Sequence, residues 1–361
     1  MVEIERAGGW IGFDRYMDLC LYASGLGYYA GAATKLGGAG DFVTAPEISS
    51  LFSRALARQI GEVLATTGGD VLELGAGSGR MAADMLRQLG EIGQLPERYC
   101  ILEVSADLAA RQKERLCTLD ADLAARVVWL DGIPASFCGV IVANEVLDAL
   151  PVHLVMWRAE GVFERGVTYR DGAFGWDDRL PGEPMLLLEA QRLSPRPPYL
   201  SEISLATPAL VRTLAATVEC GAVLLVDYGF GEREYYHPQR DHGTLMCHYR
   251  HHAHDDPFFA PGLQDITSHV DFTAVARAAQ QAGLDLLGYT TQAQFLVNLG
   301  ITDLMARTPP ESIADYLPLA AQAQKLLSPA EMGELFKVIA FGRGLQTSLM
   351  GFASGDKSRL L

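Results

Sequence analysis

A short hydrophobic run, Asp70 to Leu74, leads into the glycine-rich sequence GAGSG and then into a helix-like stretch from Met81 to Leu89. This order of strand, tight turn and helix is typical of a βα unit. Other hydrophobic runs follow along the chain, and helix-like stretches, for example at 108–116 and 208–219, separate several of them. Continuous apolar runs, typical of strands buried on both faces, recur at 99–103 (YCILE), 127–130 (VVWL), 139–143 (GVIVA) and 223–227 (VLLVD). The alternation predicts an α/β fold with a doubly wound, mostly parallel sheet, which binds ligands beyond the carboxyl ends of its strands.

Composition narrows the class of protein. The sequence has 361 residues, 49% of them hydrophobic, which suits two domains or one enlarged domain. Its 44 acidic residues outnumber 29 basic ones, and the formal charge of -15 disfavours nucleic acid as a partner. Six scattered cysteines without a CxxC pair favour reduced thiols. Since no signal peptide or membrane span is recognisable, the sequence predicts a cytoplasmic protein without membrane insertion.

Three regions depart from the alternation of strands and helices. Residues 25–49 are rich in glycine and aromatic residues, which predicts a loop before a helix that starts near Ser49. Trp157, Trp176 and the proline cluster SPRPPY favour an inserted hairpin or loop. The predicted organisation is an N-terminal lid or helical segment (1–65), a core (66–155, 204–290 and 334–346), an inserted hairpin or loop (156–203) and a helical insertion (291–333) before a last strand at 336–341.

Three glycines, Gly75, Gly77 and Gly79, occupy the first strand-to-helix turn, where absent side chains let the backbone approach a ligand. The dinucleotide pattern GxGxxG would need a third glycine where Arg80 stands, which argues against a dehydrogenase. A GxGxG turn after an acidic residue, here Glu73, is instead typical of S-adenosylmethionine-dependent methyltransferases. The alternative is a glycine-rich turn that serves packing alone.

Acidic residues end the next two strands. Glu103 lies 24 residues after Gly79, a spacing that lets its carboxylate accept hydrogen bonds from ribose hydroxyls. Asp131 follows the third strand, where it either reaches an adenine amino group or forms a turn.

The sequence ANEVLDALPVH follows the fourth strand, so Asn144, Glu145 and Asp148 are expected to face the cofactor and the reacting groups. If this segment is helical, Glu145 and Asp148 share one face. The alternative for Asp148, and to a lesser degree for Glu145, is a capping or solvated carboxylate at a helix start.

Eight sequence blocks follow one another in order along the chain. They are GLGYY (25–29), GDFVTAPEIS (40–49), LELGAGSG (72–79), ILEVS (101–105), NEVLDALPVH (144–153), VDYGF (226–230), GTLMCHYRH (243–251) and DITSHVDF (265–272). Together they resemble the MidA-like family, which includes mitochondrial arginine methyltransferases that assist complex I assembly, and the likeness covers nearly the whole chain. The resemblance implies a class I, Rossmann-like methyltransferase core with added segments, S-adenosylmethionine as cofactor, and arginine in a protein as acceptor.

The resemblance also implies roles for single residues. It places cofactor contacts at Gly75, Gly77 and Glu103. It adds a lid segment that supplies Asp41, Thr44, Pro46 and Glu47 to these contacts.

Carboxylates are the expected catalytic groups. Methyl transfer from a sulfonium is a direct displacement, so the protein must align the reactants and exclude water. Carboxylates that pair with two guanidinium nitrogens would orient the third nitrogen and help it lose its proton. Glu145 is the first candidate for this role, and Asp148 and Glu47 are the second.

Aromatic residues and one histidine complete the predicted acceptor side. Tyr28, Tyr29 and Phe42 either shield the sulfonium through cation–π contacts or only pack. His251 either lines the acceptor pocket or holds a loop by a hydrogen bond. The histidines around it lack an HExxH pattern, and no metal is expected.

Other functions stay open at this stage. One is a non-catalytic assembly factor or chaperone that keeps the cofactor fold, and another is a methyltransferase for a small molecule. A dehydrogenase is a remote alternative. The absence of GxSxG disfavours a serine hydrolase.

Overall fold

A computed structural model describes residues 1–31, 43–345 and 348–361. In chain order the strands are β1 (Ile11–Gly12), β2 (Asp70–Leu74), β3 (Tyr99–Leu102), β4 (Val127–Leu130), β5 (Phe137–Asn144), β6 (His153–Arg158), β7 (Gly161–Arg170), β8 (Ala173–Arg179), β9 (Tyr199–Ile203), β10 (Val218–Phe230), β11 (Met246–Tyr249), β12 (His252–His254), β13 (Asp265–Thr267), β14 (Val270–Asp271), β15 (Asp285–Thr291) and β16 (Phe336–Arg343). The helices are α1 (Val2–Arg6), α2 (Phe13–Tyr22), α3 (Ala45–Ile48), α4 (Ser50–Thr67), α5 (Arg80–Glu91), α6 (Ala106–Leu116), α7 (Ala121–Ala124), α8 (Pro184–Leu193), α9 (Ala206–Thr217), α10 (Glu232–Tyr235), α11 (Phe272–Gln281), α12 (Gln292–Asn298), α13 (Ile301–Met305) and α14 (Ile313–Leu327).

An eight-stranded sheet in the order β15-β16-β10-β5-β2-β3-β4 forms the centre of the molecule, and β14 pairs with β10 beside it. Strands β4, β3, β2, β5 and β10 are parallel, whereas β16 runs antiparallel to both of its neighbours. The predicted doubly wound, mostly parallel α/β sheet is therefore confirmed. From β2 the chain proceeds through β3 and β4 to one side and later through β5 and β10 to the other. This reversal of strand order creates a crevice between the ends of β2 and β5.

The continuous apolar runs are explained by helices on both faces of this sheet. Within β5, Val140 and Val142 join one core cluster, to which α4 and α5 contribute. The alternate residues Ile141 and Ala143 join a second cluster, to which α9 and α11 contribute. Because successive side chains of a strand point to opposite faces, a strand that is buried on both faces has no polar alternation.

A second, antiparallel sheet has the order β1-β7-β6-β9, with β8 paired to β7. The N-terminal part of the chain contributes β1, in which Ile11 lies opposite Val167. The region predicted as a hairpin or loop thus contains four strands and the helix α8, which sequence analysis did not predict. That helix starts at Pro184, a residue favoured at the first helical position, and the Glu183 side chain caps it by accepting a bond from the Met185 N–H.

Two further stretches are helical. Helix α4 begins at Ser50, and the Ser49 side chain caps it by accepting a hydrogen bond from the Leu51 N–H. Helices α12 to α14 lie between β15 and β16. Within the described part of the chain, no helix combines the length and the apolar character that a membrane crossing requires.

Candidate functional site

The glycine turn after β2, residues 75–79, forms one wall of a cavity of about 430 Å³. Gly75, Gly77 and Gly79 have φ angles of +62°, +53° and +76°, a conformation that costs free energy for residues with a side chain. A Cβ atom on Gly75 would also lie 3.1 Å from the Val146 side chain. The backbone conformation therefore favours glycine at these three positions, and the close approach of Val146 also favours it at Gly75.

Acidic side chains lie on both sides of this turn. Glu73 is buried and accepts a hydrogen bond of 2.6 Å from the Tyr99 hydroxyl. Burial raises the pKa of Glu73 to about 7. Glu103, just after β3, accepts hydrogen bonds from the Ser105 N–H at 2.9 Å and from the Gln112 side-chain amide at 2.9 Å. Both glutamates line the cavity.

Residues 43–49 cross the open side of the glycine turn. The Ser78 hydroxyl donates a hydrogen bond to the Glu47 carboxylate, and Arg80 donates one of 2.9 Å to the Glu47 carbonyl O. Thr44, Pro46 and Glu47 line the cavity. The predicted contacts at Asp41 and Phe42 lie outside the described residues and stay predictions.

The segment after β5 forms the opposite wall and is a bent loop, not the helix considered from the sequence. Glu145 has φ +53°, which breaks any helical continuation at this point. Its Oε1 accepts hydrogen bonds from the Asn144 side chain at 3.1 Å and from the Ala45 N–H at 3.4 Å. Enclosure of the carboxyl group raises the pKa of Glu145 to about 8, and nearby Asp148 adds to the rise.

Asp148 is buried beside this loop and accepts a hydrogen bond of 2.7 Å from the Tyr228 hydroxyl. Burial raises the pKa of Asp148 to about 6. Asn144 and Glu145 line the cavity, whereas Asp148 is not among the described lining residues.

Asp227, near the end of β10, holds the loop in place. One of its oxygens accepts hydrogen bonds from the backbone N–H groups of residues 146, 147 and 148, at 3.2, 2.9 and 3.3 Å. Burial raises the pKa of Asp227, as do the charges of Asp148 and Glu145. Sequence analysis assigned no role to Asp227. The available signal is its position at the end of the apolar run VLLVD, next to the fourth strand.

Gln112 is a second residue that sequence analysis missed. It is fully buried on α6 and connects the glycine turn with Glu103. A signal exists in the sequence, because Gln112 lies four residues from Leu108 and four from Leu116, the other buried residues of α6. A polar residue in the buried stripe of a helix indicates a specific hydrogen-bonding task.

The remaining predicted site residues lie apart from the cavity or at its edge. Tyr29 lines the cavity and stacks on Tyr22 with ring centroids 5.6 Å apart, but Tyr28 packs in a buried cluster. Asp131 and His251 are exposed and are not among the described lining residues. The sequence offered no way to rank these residues, since an acid at a strand end or a loop histidine has many uses.

Among the described residues, Asp14, His153 and Glu164 form one group whose potential metal-ligating atoms lie within 4.8 Å of one another. His153 Nδ1 lies 2.8 Å from Glu164 Oε1 and 3.5 Å from Asp14 Oδ1. Burial lowers the pKa of His153, but the hydrogen bond to Glu164 and the charge of Asp14 outweigh it, so the pKa is raised overall. A hydrogen bond between the imidazole and the Glu164 carboxylate, with the Asp14 carboxylate close by, accounts for this geometry.

The central sheet and the cavity at its switch point define an α/β protein that binds a small-molecule cofactor. The sequence family described as "Putative S-adenosyl-L-methionine-dependent methyltransferase" matches residues 55–290. This match spans more than half of the chain, and the chain belongs to that family.

Curated relatives agree with this family. A protein named "Protein arginine methyltransferase NDUFAF7, mitochondrial" from Danio rerio is 30% identical, over 92% of this chain and 83% of the relative. The relative of the same name from Rattus norvegicus is 28% identical, over 94% of this chain and 82% of its own length. The family resemblance inferred from the sequence blocks is confirmed.

Solved structures extend the agreement to the cofactor. A crystal structure from Burkholderia thailandensis, bound to S-adenosylhomocysteine, is 50% identical, has a TM-score of 0.96 and covers 100% of this chain and 95% of that one. A native crystal structure of a protein from the same organism, also 50% identical, has a TM-score of 0.94 and covers 100% and 94%. The protein is therefore an S-adenosylmethionine-dependent methyltransferase with a class I fold.

A valine at Gly77 is expected to abolish cofactor binding at accessible concentrations. The branched side chain disfavours the positive φ and would project at the turn that lines the cavity. Calorimetric titration with S-adenosylhomocysteine measures the loss. Gly172→Val is the matched control, because Gly172 has φ +82° in the exposed β7–β8 turn. Undiminished binding by Gly77→Val would remove the turn from the cofactor site.

Proposed function

We propose that this methyltransferase transfers the methyl group to an arginine side chain of a protein. The observation that carries the proposal is the Glu145 carboxyl group, which lines the cavity opposite the glycine turn. A carboxylate with little access to water favours a cationic acceptor, because an opposite charge stabilises its ionised form. The names of the curated relatives, which specify protein arginine methylation, support the same acceptor class.

The residues around the turn fit the cofactor. A cavity of about 430 Å³ lies within the usual range of small-molecule sites. In this proposal Gly75, Gly77 and Gly79 admit the amino-acid part of the cofactor, and Glu103 accepts hydrogen bonds from its ribose hydroxyls. When bound, the cofactor supplies an electrophilic methyl group on a sulfonium.

Three other predicted cofactor contacts have less support. Asn144 lines the cavity and holds Glu145 through a hydrogen bond. Asp131, predicted to reach the adenine, is exposed and outside the described lining. Buried Glu73 already bonds Tyr99 and shapes the wall behind the turn.

Glu145 is the proposed group that orients the guanidinium and helps it lose a proton. Of the other two candidates, Asp148 accepts a hydrogen bond from Tyr228 and is not among the described residues that line the cavity. Glu47 bonds Ser78, and its carboxylate lies 3.7 Å from Arg80. Both are therefore better suited to shape the site than to hold an acceptor.

Residues 43–49 are the proposed lid, since their contacts join the glycine turn to the loop after β5. Of the predicted acceptor-side residues, Tyr29 has the most support because it lines the cavity. Tyr28 and His251 stay predictions, as does Phe42.

A protein linked to respiratory-complex assembly is the acceptor that the family resemblance implies. A cytoplasmic location also stays a prediction, and the curated relatives are named as mitochondrial.

Mass spectrometry of proteins from cells with and without this chain tests the acceptor class. We expect at least one methylated arginine that disappears with the chain and returns with the wild type but not with Gly77→Val. Methylation of a small molecule alone, or cofactor binding without any methyl incorporation, would contradict the proposal. The second outcome would favour a non-catalytic assembly factor.

The pH dependence of catalysis tests Glu145. Because the pKa of Glu145 is raised to about 8, its carboxyl group is mostly protonated below that pH. We therefore expect kcat/KM to increase as the pH rises through about 8. Glu145→Gln should lower kcat at least about 100-fold with near-normal cofactor affinity, and should remove this limb of the profile. Glu160→Gln, at an exposed turn, is the control. Normal turnover by Glu145→Gln would exclude the residue from the acceptor site.

A further inference from the structure

The Gln112 side chain forms hydrogen bonds with three neighbouring segments of the central fold. Its Nε2 donates to the Gly77 carbonyl O at 3.0 Å and to Glu103 Oε2 at 2.9 Å. Its Oε1 accepts a bond from Trp129 Nε1 at 3.0 Å. These partners lie in the turn after β2, just after β3 and within β4. One fully buried amide therefore links the glycine turn to the acidic strand end.

The orientation of this amide is fixed by its partners. An indole Nε1 can only donate, so the Gln112 oxygen must face Trp129. The Gly77 carbonyl and the Glu103 carboxylate both accept, so the amide nitrogen must face them. Both N–H groups are thus used, and a carboxylic acid of the same shape offers at most one donor.

Close packing reinforces this link. A Cβ atom on Gly79 would lie 3.3 Å from Gln112 Cγ and 3.4 Å from its Cα. Gly79 therefore lets α6 approach the turn closely enough for the hydrogen bond to Gly77. The third glycine of the motif has a packing partner as well as a positive φ.

We propose that Gln112 is a positioning residue that sets the Glu103 carboxylate and the glycine turn in the geometry that the cofactor needs. It is not among the described residues that line the cavity, so it acts through Glu103 and Gly77. The inference rests on the cofactor site given under the proposed function. Without Gln112 the carboxylate loses a charge-assisted hydrogen bond that fixes its orientation before the ribose arrives.

A double-mutant cycle with Glu103 tests the proposal. Calorimetric titration with S-adenosylhomocysteine should show that Gln112→Met weakens affinity about tenfold in the wild-type background. In the Glu103→Ala background, Gln112→Met should weaken the affinity less than about threefold, because most of its effect passes through Glu103. Equal losses in both backgrounds, or unchanged affinity of Gln112→Met, would overturn the proposal.

The cycle also distinguishes an error in the cofactor site from an error in the positioning role of Gln112. Normal affinity of Glu103→Ala would contradict the cofactor site itself and the positioning role with it. Weak binding by Glu103→Ala together with an additive effect of Gln112→Met would overturn only the positioning role.

Gln292→Met is the matched control for stability. Gln292 is also fully buried and donates through Nε2 to the Leu326 carbonyl O, far along the chain from the cavity residues. Its replacement should lower the melting temperature and leave the affinity for S-adenosylhomocysteine unchanged. An equal loss of affinity in Gln292→Met would assign the effect to general destabilisation and overturn the proposal.

Gln112→Glu gives a second readout if Gln112→Met does not fold. The new carboxyl faces Glu103 and can donate only when protonated, so two like charges would otherwise meet. The affinity of Gln112→Glu for S-adenosylhomocysteine is compared with that of the wild type at the same pH. The loss of affinity should become smaller as the pH falls. A deficit that does not change with pH would contradict a role for the donor.

Discussion

The parallel pairing of β2 with β5 is the constraint on which the candidate site depends. Leu74 lies opposite Ala143 in this pair, so both strands end at the same edge of the sheet. The glycine turn follows one strand and the loop with Glu145 follows the other. The chain reverses its strand order here, which leaves a crevice between the two strand ends. The fold thus brings together two segments about 70 residues apart, one suited to a nucleoside-type cofactor and the other to an acceptor.

Buried carboxylates give this crevice its electrostatic character. Glu145, Asp148 and Asp227 lie near one another, and burial raises the pKa of each. Backbone N–H groups hold Asp227, and the Tyr228 hydroxyl donates to one oxygen of Asp148, so these two residues shape the loop. Glu145 retains a position on the cavity wall. The proposal of a cationic acceptor rests on this position, because an opposite charge favours the ionised carboxylate.

Sequence patterns were sufficient for the parts of the structure that local rules determine. The buried strands follow from apolar runs, the turn from Gly75, Gly77 and Gly79, and the Glu103 position from its spacing. Local patterns mark Gln112 and Asp227 only as polar residues at buried positions. Both were missed because their importance arises from partners on other elements. The possible helix at 145–148 was wrong because Glu145 adopts φ +53°, which a helix excludes and which the sequence does not signal at a residue other than glycine. Helix α8 was missed because the proline cluster SPRPPY, which favoured a hairpin or loop, begins directly after the helix ends at Leu193.

The central claim is that the glycine turn and Glu103 together hold S-adenosylmethionine. A crystal structure of this protein with S-adenosylhomocysteine tests it most directly. The account predicts the amino-acid end of the ligand against residues 75–79 and its ribose hydroxyls within hydrogen-bond distance of the Glu103 carboxylate. A ligand bound away from these residues, or oriented with its ribose away from Glu103, would contradict the account.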